Sequence, residues 1–256
     1  MSAPEQFTDT TKMARLWLHE SERVYADRLV SAADLDMYNK KASQIAKKYF
    51  SVPDIDDYYK KNDPKPLIFC HFAQGLGEKS YNEVETYAGL YKTLIEALTE
   101  YNETNAVMDL VLFEDAMKHI CRISRIISNP SGHALLVGVG GSGKQSLARL
   151  AAHICGFVTM MIVISGSYGL NAFKEDLQKM YRKSGQKGEG VMFLFTDSQV
   201  CSIGPTHLVR GRAWPKPRNQ YGLMSPFAKA DIPGLARRFQ PAAVILLCNS
   251  TCLRNV

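Results

Sequence analysis

Nine consecutive residues carry the clearest chemistry in the chain: Gly138, Val139, Gly140, Gly141, Ser142, Gly143, Lys144, Gln145 and Ser146. They follow the apolar run His133-Ala134-Leu135-Leu136-Val137 and precede Leu147-Ala148-Arg149-Leu150-Ala151-Ala152, which reads as a helix. A strand, a glycine-rich turn, Gly-Lys and a helix together hold nucleotide phosphates. Glycines let main-chain N–H groups curl around a β-phosphate where side chains would block it. The helix start adds partial positive charge, and Lys144 adds a full charge at the β/γ oxygens. All nine residues are therefore candidate nucleotide contacts, and the cofactor they imply is ATP or ADP. Glycine is about 7% of average composition, so the bare spacing arises by chance in only a few per cent of chains this long.

A phosphate loop predicts a second strand that ends in an acid able to work with Mg²⁺. Val191-Met192-Phe193-Leu194-Phe195-Thr196-Asp197 has that form, which makes Asp197 the candidate metal ligand. Two departures bear on chemistry. The hydroxyl expected directly after the lysine is replaced by Gln145, whose amide oxygen could serve instead, with Ser146 one place late. Ser198 follows Asp197 where many such ATPases carry a Glu that polarises the attacking water. No general base is then evident, so binding with little or no hydrolysis is the expectation.

These residues also carry a resemblance. Leu110-Val111-Leu112-Phe113-Glu114-Asp115-Ala116-Met117-Lys118-His119-Ile120-Cys121-Arg122-Ile123, then 133–152 with its Gly-Lys-Gln-Ser, then Phe195-Thr196-Asp197-Ser198-Gln199-Val200, resemble the fourth AAA+ module of a dynein heavy chain of the axonemal branch. Residues 14–29 resemble the lid helices that close the third module. In that module Gln145 and Ser198 are usual. The resemblance covers about residues 10 to 200. It implies one piece of a six-module ring motor in the cilium axoneme, with a regulatory rather than main hydrolytic nucleotide site. The neighbouring module would supply an arginine, and other dynein chains would be partners. The microtubule-gripping stalk, the linker and the tail would all fall outside these residues.

At 256 residues the chain can hold one large or two modest domains. Its six cysteines are scattered without a C-x-x-C, which argues against zinc and a disulfide framework and suits a reducing interior. No basic-then-apolar leader opens the chain, and no apolar run reaches the length of a membrane span. Net charge is +6. Residues 201–256 hold eight basic residues against Asp231, or +7, leaving −1 for residues 1–200. No nucleic-acid signature accompanies that basic tail, so nucleic acid is not an expected partner.

The elements that must position the loop read as follows. Helices are expected over Thr11–Val30, with Leu16, Trp17, Val24 and Leu29 on its apolar face, and over Ala33–Tyr49, with Leu35, Ile45 and Tyr49 inward. A break follows at Val52-Pro53-Asp54, then a strand-like run at 67–72. Tyr87–Tyr101 and a stripe from Leu112 to Ile127 read as helices. Phe157–Ile164 reads as a strand, Ala172–Arg182 as a helix and 191–197 as the next strand. The fold class is thus α/β, a parallel-sheet P-loop AAA+ core, incomplete, preceded by a helical lid region. The expected boundaries are 1–100 for the lid, 101–200 for the core and 201–256 for an atypical basic, Pro-rich tail. Five of the eleven prolines fall between 205 and 233, and the favoured expectation is an alternative or out-of-frame end that leaves the core half-built. A rival reading makes Ala242–Asn249 the next strand, with Asn249 as a γ-phosphate sensor.

Three functions remain open on these residues. One is a nucleotide-binding ring segment. Another is a truncated fragment or scaffold that holds no nucleotide by itself. The third is an independent ATPase, which Ser198 disfavours.

Overall fold

The computed structural model describes residues 9–50, 66–77, 80–129, 132–165, 168–196 and 199, and the strand 242–249. The chain divides into two compact units, Met1–Val107 with Val111–Arg122, and Met108–Leu110 with Ile123–Val256.

In the first unit, α1 spans Thr10–Ser21 and continues as one wider π turn over Glu22–Ala26. Asp9 caps it by accepting from the Thr11 N–H at 3.1 Å, which satisfies an otherwise orphaned donor. α2 spans Ala32–Phe50. The two helices meet through Ala14 and Leu18 on one side and Ala42 and Ala46 on the other, with Trp17, Tyr38, Phe50 and Leu67 around them. Alanine at the contact lets the backbones approach closely, and this decides which face turns inward. The expected faces were therefore wrong in part. Val24 is exposed, Ile45 is 43% exposed and Tyr49 70% exposed, because α2 buries its small side chains and leaves large ones outside.

The same unit holds a two-stranded antiparallel sheet, β1 (Phe69–Cys70) and β2 (Asn82–Glu83). Polar groups tie it to α1. The Arg15 guanidinium pairs with Glu83 and donates to the Pro66 carbonyl at 3.2 Å. His19 sits between the Leu67 carbonyl (3.2 Å) and the Tyr81 hydroxyl (3.1 Å), and Tyr81 donates to Glu20 at 2.6 Å. Arg15 and His19 are buried, and these partners are what make their burial tolerable. α3 (Tyr87–Thr104) starts at Thr86, whose hydroxyl accepts from the Gly89 N–H, and buries Leu90, Leu94, Ala97 and Leu98. α4 covers Glu114–Ser128, assigned to this unit as far as Arg122 and to the second from Ile123; it has acids in its first turn and Arg125 in its last, which suits the helix dipole at both ends.

The second unit is built on a four-stranded sheet. Its elements are β3 (His133–Gly138), α5 (Lys144–Ile154), β4 (Val158–Met160), α6 (Leu170–Tyr181) with a π turn over Arg182–Gln186, β5 (Val191–Thr196) and β6 (Ala242–Asn249). All pairings are parallel and the order is β3-β6-β5-β4. β5 is buried along Val191–Leu194, as expected of a strand covered on both faces. Ile162, Met180, Val191 and Phe193 form one core cluster, and α5 buries Leu147, Ala148, Leu150, Ala151 and Ala152. β3 lies at the sheet edge, with Leu135 and Val137 exposed. β4 is shorter than the expected 157–164 strand.

The core is a partial α/β sheet, but it extends one strand further than the half-built reading allowed. Ala242–Asn249 forms the next strand, as the rival reading had it, and inserts between β3 and β5. Its run Val244-Ile245-Leu246-Leu247 suits a strand with a neighbour on either side. The long connection lacking a helical pattern had argued against it. Residues 201–241 and 250–256 lie outside the described residues, and so do Val52-Pro53-Asp54, Asp197, Ser198 and Val200.

Candidate functional site

The loop between β3 and α5 has the curl its glycines predict. Gly141 and Gly143 take left-handed backbone conformations, with φ of +76° and +73°. An L side chain in that region costs about 1–2 kcal/mol, so these two positions require glycine. Gly143 is also the residue before the helix, and its carbonyl accepts the Leu147 N–H at 2.9 Å as the first helical bond. The N–H groups of the first α5 turn have no partner within the helix, and no acid lies in that turn to compete with an anion.

Val139 to Ser142 are exposed, Gly143 and Lys144 half-buried, Gln145 exposed and Ser146 half-buried. Lys144 curls back over the loop. Its ammonium donates to the Gly138 carbonyl at 3.0 Å, to the Val139 carbonyl at 2.7 Å and to the Ser142 hydroxyl at 3.2 Å. The charge is therefore held above the loop, and open space surrounds the Cβ positions of Gly140 and Gly141. A phosphate fits such a cradle: it would accept from the ammonium and the loop N–H groups through charge-assisted bonds, which are stronger than those to neutral carbonyls.

Register fixes what stands beside the loop. Gly138 pairs with Asn249 across β3 and β6, and Thr196 pairs with Leu247 across β5 and β6. The carboxyl ends of the three strands thus share one edge, where ligands of open parallel sheets bind. Asn249, a sensor candidate only in the rival reading, is placed at that edge by register. Asp197 follows Thr196 in the sequence but lies outside the described residues. Among the described residues, no cluster of three or more His, Cys, Asp or Glu could hold a metal ion. No described helix is long and apolar enough to cross a membrane.

One buried polar side chain near this edge had no role in the sequence reading. Gln199 accepts from the Thr196 N–H at 2.8 Å and donates to the Ile162 carbonyl at 2.6 Å. Nothing in its residue type or spacing announced that contact, which spans 37 residues of chain. His19 is packed and hydrogen-bonded.

Residues 108–204 match the family model for the P-loop containing dynein motor region D4, and residues 1–61 match an AAA+ lid domain. The chain is 79% identical over 200 residues to the dynein alpha chain of the flagellar outer arm of Chlamydomonas reinhardtii. The chain belongs to the axonemal dynein heavy chains. It is also 48% identical over 199 residues to a ciliary dynein beta chain of Tripneustes gratilla and 47% identical over 200 residues to human dynein axonemal heavy chain 9. Each match covers 78% of this chain and 4% of the relative, so the chain spans a small segment of a heavy chain's length. The matched regions are those of a lid followed by the fourth module, as the resemblance implied, and the axonemal cytoskeleton is the chain's setting.

Proposed function

We propose that the loop 138–146 binds the phosphates of ATP or ADP, and that this segment serves as a regulatory nucleotide site within an axonemal dynein ring. The observation that carries this reading is the loop itself: two left-handed glycines, an ammonium held over an exposed main-chain curl, and the start of α5 directly behind it. Gly138 to Gly143 would supply main-chain donors, Lys144 the charge at the β/γ oxygens, and Gln145 and Ser146 the first-turn donors. A Mg²⁺ ion bound with the nucleotide would neutralise phosphate charge there. Asp197 is the residue assigned to it, with the Gln145 amide or Ser146 hydroxyl as further oxygen donors.

Ser198 offers no carboxylate to activate water, so the reading is binding with negligible turnover. Residues 1–100 are read as the lid region that closes the third module, 101–200 as the start of the fourth, and 201–256 as a basic, Pro-rich tail. In a full ring the neighbouring module would complete the site with an arginine. Contact with microtubules would run through parts of the heavy chain beyond this segment.

The test is a titration of the full chain with a fluorescent ATP analogue, alongside Lys144→Ala. Saturable binding by the wild type that is at least about tenfold weaker in Lys144→Ala supports the reading, since losing a charge-assisted contact is worth about 1.5–3 kcal/mol. Equal binding by both, or none by either, contradicts it.

A further inference from the structure

β4 and β5 stop pairing before β5 ends. Their ladder covers Val158↔Val191, Thr159↔Met192 and Met160↔Phe193, while β5 runs on through Leu194, Phe195 and Thr196 beside β6. Continuing the register by three residues would set Val163 against Thr196, with Ile162 one step back. Here a side chain bridges the two segments. The Gln199 amide oxygen takes the Thr196 N–H at 2.8 Å, and its NH₂ group gives a hydrogen to the Ile162 carbonyl at 2.6 Å. Gln199 is 9% exposed, and both bonds are buried. A primary amide has one acceptor end and one donor end, which is what a missing rung between parallel strands requires. Neither a hydroxyl nor an ordinary carboxylate could supply both at this reach.

The place of this rung gives it consequence. Thr196 lies at the sheet edge that also carries Gly138 and the phosphate loop, and in the sequence Asp197 stands between Thr196 and Gln199. We propose that Gln199 is a positioning residue for the nucleotide site, acting as a side-chain rung that fixes the end of β5 against the segment after β4 and so sets the strand end from which Asp197 issues. This rests on the nucleotide reading above. Removing the rung leaves the phosphate loop, which is held by β3 and α5, and loosens only the metal-bearing side. Nucleotide affinity without Mg²⁺ then stays the same, and the gain that Mg²⁺ adds is lost. A purely structural glutamine would lower stability and leave that difference intact.

The experiment titrates the full chain with a fluorescent ATP analogue, in Mg²⁺ and in EDTA, for wild type, Lys144→Ala, Asp197→Asn and Gln199→Leu. Gln199→Leu keeps the bulk and loses both bonds. The expected result is that Gln199→Leu loses most of the Mg²⁺-dependent gain, by about tenfold and in parallel with Asp197→Asn, while its EDTA affinity stays within about twofold of wild type; tenfold corresponds to about 1.4 kcal/mol. A wild-type gain that survives Gln199→Leu overturns the positioning role alone, and so does a wild type with no Mg²⁺-dependent gain. Absence of saturable, Lys144-dependent binding by the wild type instead defeats the nucleotide reading, and the positioning role with it. Hydrogen exchange on the wild type supplies a readout that depends on neither nucleotide nor any variant's folding. The Thr196 amide should be protected to a degree comparable with Leu194. Fast exchange at Thr196 beside a protected Leu194 overturns the rung. Gln199→Asn, which keeps the amide but is one carbon too short to bridge, should behave as Gln199→Leu does.

Discussion

Single residues in the loop differ in what they can tolerate. Gly143 has φ of +73°, and a Cβ there would meet only Leu110 Cδ1 at 3.9 Å, so the obstacle is backbone conformation rather than space. Gly140 has no positive φ and nothing within 4 Å of its Cβ position. Urea denaturation should therefore show Gly143→Ala less stable by about 1–2 kcal/mol, whereas Gly140→Ala should stay within about 0.5 kcal/mol. Equal losses at the two positions would contradict the assigned loop conformation. The Tyr81 hydroxyl bridges buried His19 and half-buried Glu20. Tyr81→Phe removes one hydrogen bond from each partner and should cost about 1–3 kcal/mol, measured in the same way. The loop was legible from sequence because glycine spacing and Gly-Lys are direct statements about backbone shape and charge. The Gln199 bridge was not, since its partner Ile162 lies 37 residues away and an amide side chain declares no partner.

At the scale of elements, periodicity placed most helices and strands, but it failed on which face of α1 and α2 turns inward. Large apolar residues such as Ile45 and Tyr49 were expected inside. The contact instead uses Ala42 and Ala46 against Ala14 and Leu18, because close helix approach rewards small side chains over large ones. Ala46 is fully buried, so Ala46→Leu should overpack the contact and cost about 1–3 kcal/mol. Ile45→Ala should change stability by less than about 1 kcal/mol, since much of that side chain already meets water. Chemical denaturation of both variants checks the face assignment, and the reverse ranking would refute it. β6 was legible as an apolar run, Ala242–Leu247. Its insertion between β3 and β5 was not, because strand order is a long-range property that local pattern leaves open.

Across the whole molecule, three histidines, of which His71 and His133 are half-buried, set a common pH response. Burial holds His71, His119 and His133 below the ordinary histidine value, and for His119 the neighbouring Arg122 adds to the effect. The unfolded chain therefore takes up protons first as pH falls. Stability rises with pH wherever the unfolded state binds more protons, so it should be lost as pH drops below about 6.5 towards the depressed folded values. A melting temperature lower at pH 5.5 than at pH 7.5 is expected, and an unchanged or higher one would contradict the assigned burial. The chain matches about 4% of the length of the flagellar outer-arm relative. Fold class and family were readable because the loop, the strand to Thr196 and the run from Leu110 to Ile123 occur in a fixed order. What the site does depends on a ligand that residue pattern can only imply. The most direct measurement is equilibrium binding of a fluorescent ATP analogue to the full chain, compared with Lys144→Ala. The account predicts saturable binding by the wild type, weakened at least about tenfold by the substitution. Affinity indifferent to Lys144, or no binding at all, would contradict it.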